Sequence, residues 1–391
     1  MSFKDFLKRN ILSKRNVSFI GWTLFIIALI GVCTYIARTK LNAAGGALRD
    51  MENSLKKQPI QVQSAVTTRE INNYPLVDFY VAGSYNSCCS TNTKDNEVSL
   101  EPLKMVLKRG IRAVDFEIYM LPDRSVVIAS GHNPLIVSNP AECNDVTITQ
   151  KGSYNHVNIS QAFDMINSYG FSVAPNSADP IFINLRIKTK EPRVYNVLKK
   201  EIKRAFSSRL LSTEYAKEGK LIKPQRKKLE KLLLKNTRGK VIIMVEDYCQ
   251  NYKDNGDFHQ LVNMAILGNL RKFTNDNIKF RVSPEKLSKD NKEMFAICVP
   301  DSKHPTTQLE SKACRMYGCQ YVMMNYGLPT DSLNDHMKFF REKGTQIVLK
   351  PPELRSKRVT GKKPRVMNKA GEGLNKTKKR IDPTTGKAYT F

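Results

Sequence analysis

Eight short apolar runs punctuate the middle of this chain, and they constrain its fold more than any other feature. Residues 76–82, 113–119, 126–129, 181–187, 241–245, 295–299, 321–325 and 347–349 each read as a buried strand. Amphipathic segments lie between several of them, clearest over 100–109, 160–168, 194–206 and 331–343. Continuous apolar strands separated by helices imply a parallel sheet covered by helices. Such a count over this span predicts an α/β fold of the TIM-barrel-like (β/α)8 kind. An open doubly wound sheet is the alternative, since periodicity does not decide closure. At 391 residues the chain has room for one barrel and its extensions.

Residues 17–37 read VSFIGWTLFIIALIGVCTYIA, with no charge and about the ~20 residues a spanning helix needs. Trp22 and Tyr35 stand near its ends, where interfacial aromatics sit. Lys4, Lys8, Arg9, Lys14 and Arg15 precede it, and Arg38 and Lys40 follow. That bias places the N-terminus on the cytosolic side of a single-pass protein. A secretory signal peptide competes, but its apolar core is usually shorter and no convincing cleavage site follows Ala37. The expected organisation is a basic segment 1–16, a transmembrane helix 17–37, a tether 38–72, the barrel 73–355 and a basic tail 356–391.

The formal net charge of +28 favours polyanions. In the tail, Lys357, Arg358, Lys362, Lys363, Arg365, Lys376, Lys378, Lys379 and Arg380 sit among Gly, Pro, Asn and Thr. Few apolar residues remain to offset ordering entropy, so the tail is expected to be disordered when alone. Anionic lipid, nucleic acid or acidic protein are the partners such a tail would take, and a solubilising tail is the plain alternative. The eight cysteines lack zinc-ribbon spacing and read mostly as buried small hydrophobes.

Several short motifs add a likeness. Ala82-Gly83-Ser84-Tyr85-Asn86, Arg112-Ala113-Val114-Asp115-Phe116-Glu117 and Val127-Ile128-Ala129-Ser130-Gly131-His132 open the series. Gly239-Lys240-Val241-Ile242-Ile243, Phe280-Arg281-Val282-Ser283-Pro284 and Tyr317-Gly318-Cys319-Gln320 through Asn325-Tyr326 follow. Val348-Leu349-Lys350-Pro351-Pro352-Glu353-Leu354-Arg355 closes it. In this order they resemble the catalytic barrel, X and Y regions, of eukaryotic-type phosphoinositide-specific phospholipases C. No segment resembles that family's pleckstrin-type, EF-hand or C2 modules.

The resemblance implies a calcium-assisted attack of the inositol 2-hydroxyl on phosphorus, with two histidines handling charge and protons. Here Tyr85 and Ser130 stand at those two positions. Tyrosine has a reference pKa of about 10 and serine is a far poorer acid, so neither replaces imidazole near neutrality. General acid–base groups contribute roughly 10²–10⁴-fold, so turnover should fall to near background. His132, two residues past Ser130, is the one substitute the sequence offers.

By position, Asn86, Asp115 and Glu117 fall on three of the family's calcium ligands, and Arg186 replaces a glutamate at the fourth. A guanidinium there is expected to pair with both carboxylates and stand in for the metal, so no cofactor is expected. Unrelated surface charges are the alternative. The family's phosphate-binding lysines appear as Met244 and Glu246, and its Arg-x-Tyr pair as Arg281 and Ser283. Only Arg281 remains to hold a phosphate.

The leading expectation is a membrane-anchored, catalytically inactive phospholipase C-like barrel serving as a structural or interaction module with protein partners in a larger assembly. A membrane-containing virus particle is one such assembly. A residual or altered phosphodiesterase using His132, and a lipid- or polyanion-binding membrane protein, are the competitors.

Overall fold

The computed structural model describes residues 14–56, 62–90, 97–131, 152–153, 155–217, 227–247, 249, 251–255, 257–301, 308–356, 379–381 and 388–390. The chain divides into two compact units, Met1–Ser356 and Lys357–Phe391.

Among the described residues, the first element of the first unit is one long helix, α1 (Lys14–Lys56). Its segment Gly21–Thr39 is long and apolar enough to cross a membrane, and none of it is buried in the protein. The stretch expected to be a tether continues this helix as far as Lys56. Ala, Leu, Lys and Glu there favour helix, and their propensity outweighs the roughly 1 kcal/mol that each of Gly45 and Gly46 costs. Met51 and Leu55, one turn apart on one face, are buried in the main core. Arg109 Nη1 donates to the Leu55 carbonyl at 2.5 Å, tying the end of α1 to the barrel.

The barrel is parallel, α/β and nearly closed. Its staves in order are β7 (Val262–Ala265), β6 (Val241–Glu246), β5 (Ile181–Ile187), β2 (Ala113–Met120), β1 (Phe79–Ser84), β10 (Tyr321–Met324), β9 (Phe295–Cys298) and β8 (Leu270–Phe273). Helices α2 (Leu100–Lys108), α3 (Ile159–Met165), α4 (Arg193–Phe206), α5 (Pro284–Asp290), α6 (Ser311–Met316) and α7 (Asp331–Glu342) cover it. In α4, Val194, Leu198, Ile202 and Phe206 recur every fourth residue and are all buried. Each such side chain contributes about 1.5–3 kcal/mol by leaving water.

Two of the expected strands are not staves. β3 (Val126–Ala129) pairs antiparallel with β2 and with β4 (Val157–Asn158), and β11 (Ile347–Leu349) pairs antiparallel with β1. Two staves, β7 and β8, escaped the apolar pattern because Asn263, Arg271 and Lys272 interrupt it. Among the described residues they are linked by one isolated parallel bridge, Ile266↔Leu270, with Ile266 just past the end of β7. A link of four residues, 266–269, joins them where a parallel connection usually needs a dozen or more. Asn269 fills the seam, accepting from Ala265 N–H and donating to the Asn263 carbonyl, each at 3.2 Å.

Strand alternation sorts the side chains. Phe79, Val81, Ala113, Phe182, Ile242, Met244, Phe295, Ile297, Tyr321 and Met323 fill the barrel interior. Val114, Phe116, Ile183, Leu185, Ile243 and Val245 face the helices. Cys88, Cys89, Cys298, Cys314 and Cys319 are buried free thiols, whereas Cys249 is disulfide-bonded.

In the second unit, β12 (Lys379–Ile381) pairs antiparallel with β13 (Ala388–Thr390). The rest of the tail lies outside the described residues, so its expected disorder has no structural counterpart here.

Candidate functional site

The interior of the barrel turns from apolar to charged at the C-terminal ends of its strands. Register sets this arrangement: Asp115 lies opposite Asn184, Glu117 opposite Arg186, and Arg186 opposite Glu246. Residues two apart on a strand share a face, so Asp115 with Glu117 and Asn184 with Arg186 all point inward.

Arg186 is the centre of the site and is 3% exposed. Its Nε donates to Asp115 Oδ1 at 2.9 Å and its Nη2 to Asp115 Oδ2 at 2.7 Å, a bidentate fork. Nη1 reaches Glu117 Oε1 at 2.7 Å and the Tyr85 hydroxyl at 3.2 Å. Nη2 also donates to Asn86 Oδ1. The guanidinium lies over the Tyr85 ring, 4.5 Å from its centroid. Burial pushes the Arg186 pKa down, but Asp115, Tyr85 and Glu117 beside it outweigh that and hold it well above the usual value.

Asp115 has no acceptor capacity left. Oδ1 also accepts from Asn184 Nδ2 at 2.8 Å, and Oδ2 from Asn86 N–H at 2.9 Å. A carboxylate offers about four lone-pair sites, and four donors fill them. Asn86 reaches its donor position by adopting φ 42°, which asparagine tolerates better than most residues. The other oxygen of Glu117 accepts from Gly131 N–H at 2.7 Å and the Tyr119 hydroxyl at 3.1 Å.

A second set of charges completes the mouth. Lys272 Nζ donates to Glu246 Oε1 at 2.7 Å. Burial pushes Glu246 up, and Lys272, Lys188 and Arg186 outweigh it, so its net direction is down. Lys188 is buried nearby, and desolvation lowers its pKa against the pull of Glu117 and Glu246. Asp115, Glu117 and Glu246 thus face Arg186, Lys188 and Lys272, and the charges cancel.

Ser130 is buried, and its backbone N–H donates to Ser153 Oγ at 3.2 Å. Its side chain meets Cys89, whose thiol burial pushes up to about 12. Burial likewise pushes the Tyr85 phenol up to about 12. His132 lies outside the described residues. Arg281 ends the π-turn Asn277–Arg281 after β8, and its side chain is outside the described residues too.

Residues 72–247 match the family model of the phosphatidylinositol-specific phospholipase C X domain. The barrel is of the phosphatidylinositol-specific phospholipase C type. It is similar to the crystal structure of L. pealei PLC21, with 14% identity and a TM-score of 0.56 over 76% of this chain and 40% of that one. S. officinalis PLC21 is similar at 13% identity and a TM-score of 0.56, over 76% of this chain and 39% of that one. The chain therefore spans about two-fifths of those proteins' length, and at this identity the likeness shows the fold alone. No curated protein matches the sequence.

In this phospholipase C-type barrel, Tyr85, Asn86, Asp115, Glu117 and Arg186 are brought into one hydrogen-bonded cluster, with Ser130 near its edge. Sequence reasoning did not name Asn184, Lys188, Lys272 or Cys89. Asn184 and Lys188 lie two residues either side of Arg186, a signal that was available. Lys272 sits on a stave whose pattern hid it.

Proposed function

We propose that this chain is a catalytically inactive phospholipase C-like protein, anchored in a membrane by α1, that acts as a structural or interaction module within a larger membrane-containing assembly. The observation that carries the reading is the Arg186 guanidinium seated among Asn86, Asp115 and Glu117. Calcium takes six to eight oxygen ligands at about 2.3–2.6 Å. Here the oxygens that would supply them are already bonded to a permanent cation, and Asp115 is saturated. These residues do not fit the metal.

Proton chemistry is missing as well. Tyr85 and Ser130 stand where the family resemblance implies histidines; burial pushes the Tyr85 phenol up to about 12, far from neutrality, and a serine hydroxyl is a far poorer acid than imidazole. The self-cancelling charges of the mouth leave little net field for an inositol phosphate.

The test is hydrolysis of phosphatidylinositol and its bisphosphate by the full chain in mixed micelles, with calcium and with chelator. No turnover above blank is expected, and a Tyr85→His, Ser130→His double variant should stay inactive while Arg186 remains. Turnover abolished by His132→Ala would overturn the proposal. Release of the full chain from membranes by carbonate would overturn the anchor.

A further inference from the structure

The cations of the mouth are neutralised, but a second set at the opposite end of the barrel is not. A cleft of about 560 Å³ opens there, lined by Ser177, Ser208, Arg209, Arg238, Gly239 and Lys240. Lys240 immediately precedes β6, Ser177 lies just before β5, and Ser208 and Arg209 follow α4. All therefore belong to the face at the N-terminal ends of the strands, remote from Arg186. The volume is within the ~300–1,000 Å³ usual for ligand sites.

The cations are held in place by neutral groups. Arg209 stacks on Phe171, its guanidinium carbon 4.2 Å from the ring centroid, and Nη1 donates to the Gly239 carbonyl at 3.3 Å. Gly239 adopts φ 63°, and a Cβ there would lie 3.5 Å from Arg209 Nη1. Lys240 Nζ donates to the carbonyls of Ser208 at 3.3 Å and Leu210 at 3.2 Å, leaving one of its three N–H bonds. Arg238 is exposed at the rim. Among the described residues no carboxylate pairs with Arg209, Arg238 or Lys240. Asp179, a buried acid one residue past the lining residue Ala178, has its oxygens turned to Val66 N–H and Asn176 Nδ2. Like charges gathered without counterions repel one another, and an anion relieves that.

We propose that this cleft is an anion site for a phosphate-bearing ligand, separate from the mouth and independent of whether the mouth is active. Two arginines supply planar forks that match phosphate oxygens, Lys240 adds a point charge, and the Ser177 and Ser208 hydroxyls complete the donors. The ligand is either a soluble phosphate ester or a lipid headgroup ending in a phosphomonoester, since both present the same oxygens.

The experiment uses the full chain in phosphatidylcholine nanodiscs at low ionic strength. Binding of inorganic pyrophosphate is followed by calorimetry, and capture of phosphatidylcholine vesicles doped with phosphatidic acid by co-sedimentation. The natural chain should bind at least one probe. Arg238→Glu, an exposed change that leaves the barrel folded by circular dichroism, should weaken that binding about tenfold or more, ~1.4 kcal/mol. Lys200→Glu, the same charge change on the exposed side of α4, should alter it by less than about twofold. Loss with pyrophosphate assigns a soluble ester, and loss with vesicles alone assigns a headgroup. Equal loss in both variants, or no binding of either probe by the natural chain, overturns the proposal.

Discussion

Replacing Arg186 with methionine removes five hydrogen bonds at once and leaves Asp115 and Glu117 at 0% and 5% exposure without their counter-charge. Removing one partner of a buried ion pair costs about 3–5 kcal/mol, because the remaining charge keeps its desolvation penalty. At about 2–4 °C per kcal/mol, Arg186→Met should melt roughly 10 °C below the natural chain. Far-UV circular dichroism in detergent is the assay, since the single tryptophan, Trp22, lies in the apolar segment of α1 and does not report on the barrel. A triple change, Asp115→Asn, Glu117→Gln and Arg186→Met, removes all three charges and should recover most of the loss. Calcium gives a second readout. With the guanidinium gone, Asn86, Asp115 and Glu117 are free to accept a cation, and calcium at about a hundred times its dissociation constant should return about 2.7 kcal/mol. The natural chain should show no calcium-dependent shift. A loss below about 1 kcal/mol for Arg186→Met, the value of an exposed pair, would refute the reasoning. So would a calcium-induced rise in the natural chain's melting temperature.

Two further outcomes test the scaffold around this site. His336 is fully buried between α6 and α7, with Nδ1 2.7 Å from Ser311 Oγ and Nε2 unpartnered among the described residues. Burial first and Arg315 second hold its pKa well below the ordinary imidazole value. The unfolded chain takes up this proton below about pH 6.5 and the folded chain does not. Stability should therefore be full above that pH and fall on acidification, by at most about 1.4 kcal/mol per pH unit, with His336→Phe flattening the slope in urea titrations. Gly110 adopts φ 80°, and a Cβ there would lie 2.5 Å from Asn176 Oδ1. Gly110→Ala should cost about 2–4 kcal/mol of stability, and a neutral result in the same melts would show that this turn yields.

The comparison of sequence with structure divides along physical lines. The six apolar runs that became staves, the amphipathic α4 and the uncharged stretch in α1 were readable because each is a local pattern repeating at its own period. Tyr85, Asn86, Asp115, Glu117, Ser130 and Arg186 were named from short motifs. The two staves carrying Asn263 and Lys272 were not readable, because polar residues break the apolar run that marks a buried strand: Lys272 reaches Glu246 in the mouth, and Asn263 accepts from Ile243 N–H and donates to the Tyr215 carbonyl. The stretch from residue 38, expected as a tether or a short helix, is helical as far as Lys56. The polar composition of this stretch did not signal that it meets the core, because that depends on Met51 and Leu55 meeting a surface far away in the chain.

By itself, then, the sequence determined a parallel α/β body, an apolar helix ahead of it and the chemical identities at the strand ends. Only the tertiary structure decided what those identities do. Arg186 is 71 residues from Asp115 and 100 from Asn86, and nothing local to any of them specifies a bond. Barrel closure and register bring the strand ends together, and the low-dielectric interior then makes pairing obligatory, because an unpaired buried charge costs several kcal/mol. The cations at the opposite face, without a carboxylate partner among the described residues, come instead from two stretches of one connection, between β5 and β6, that packing brings side by side.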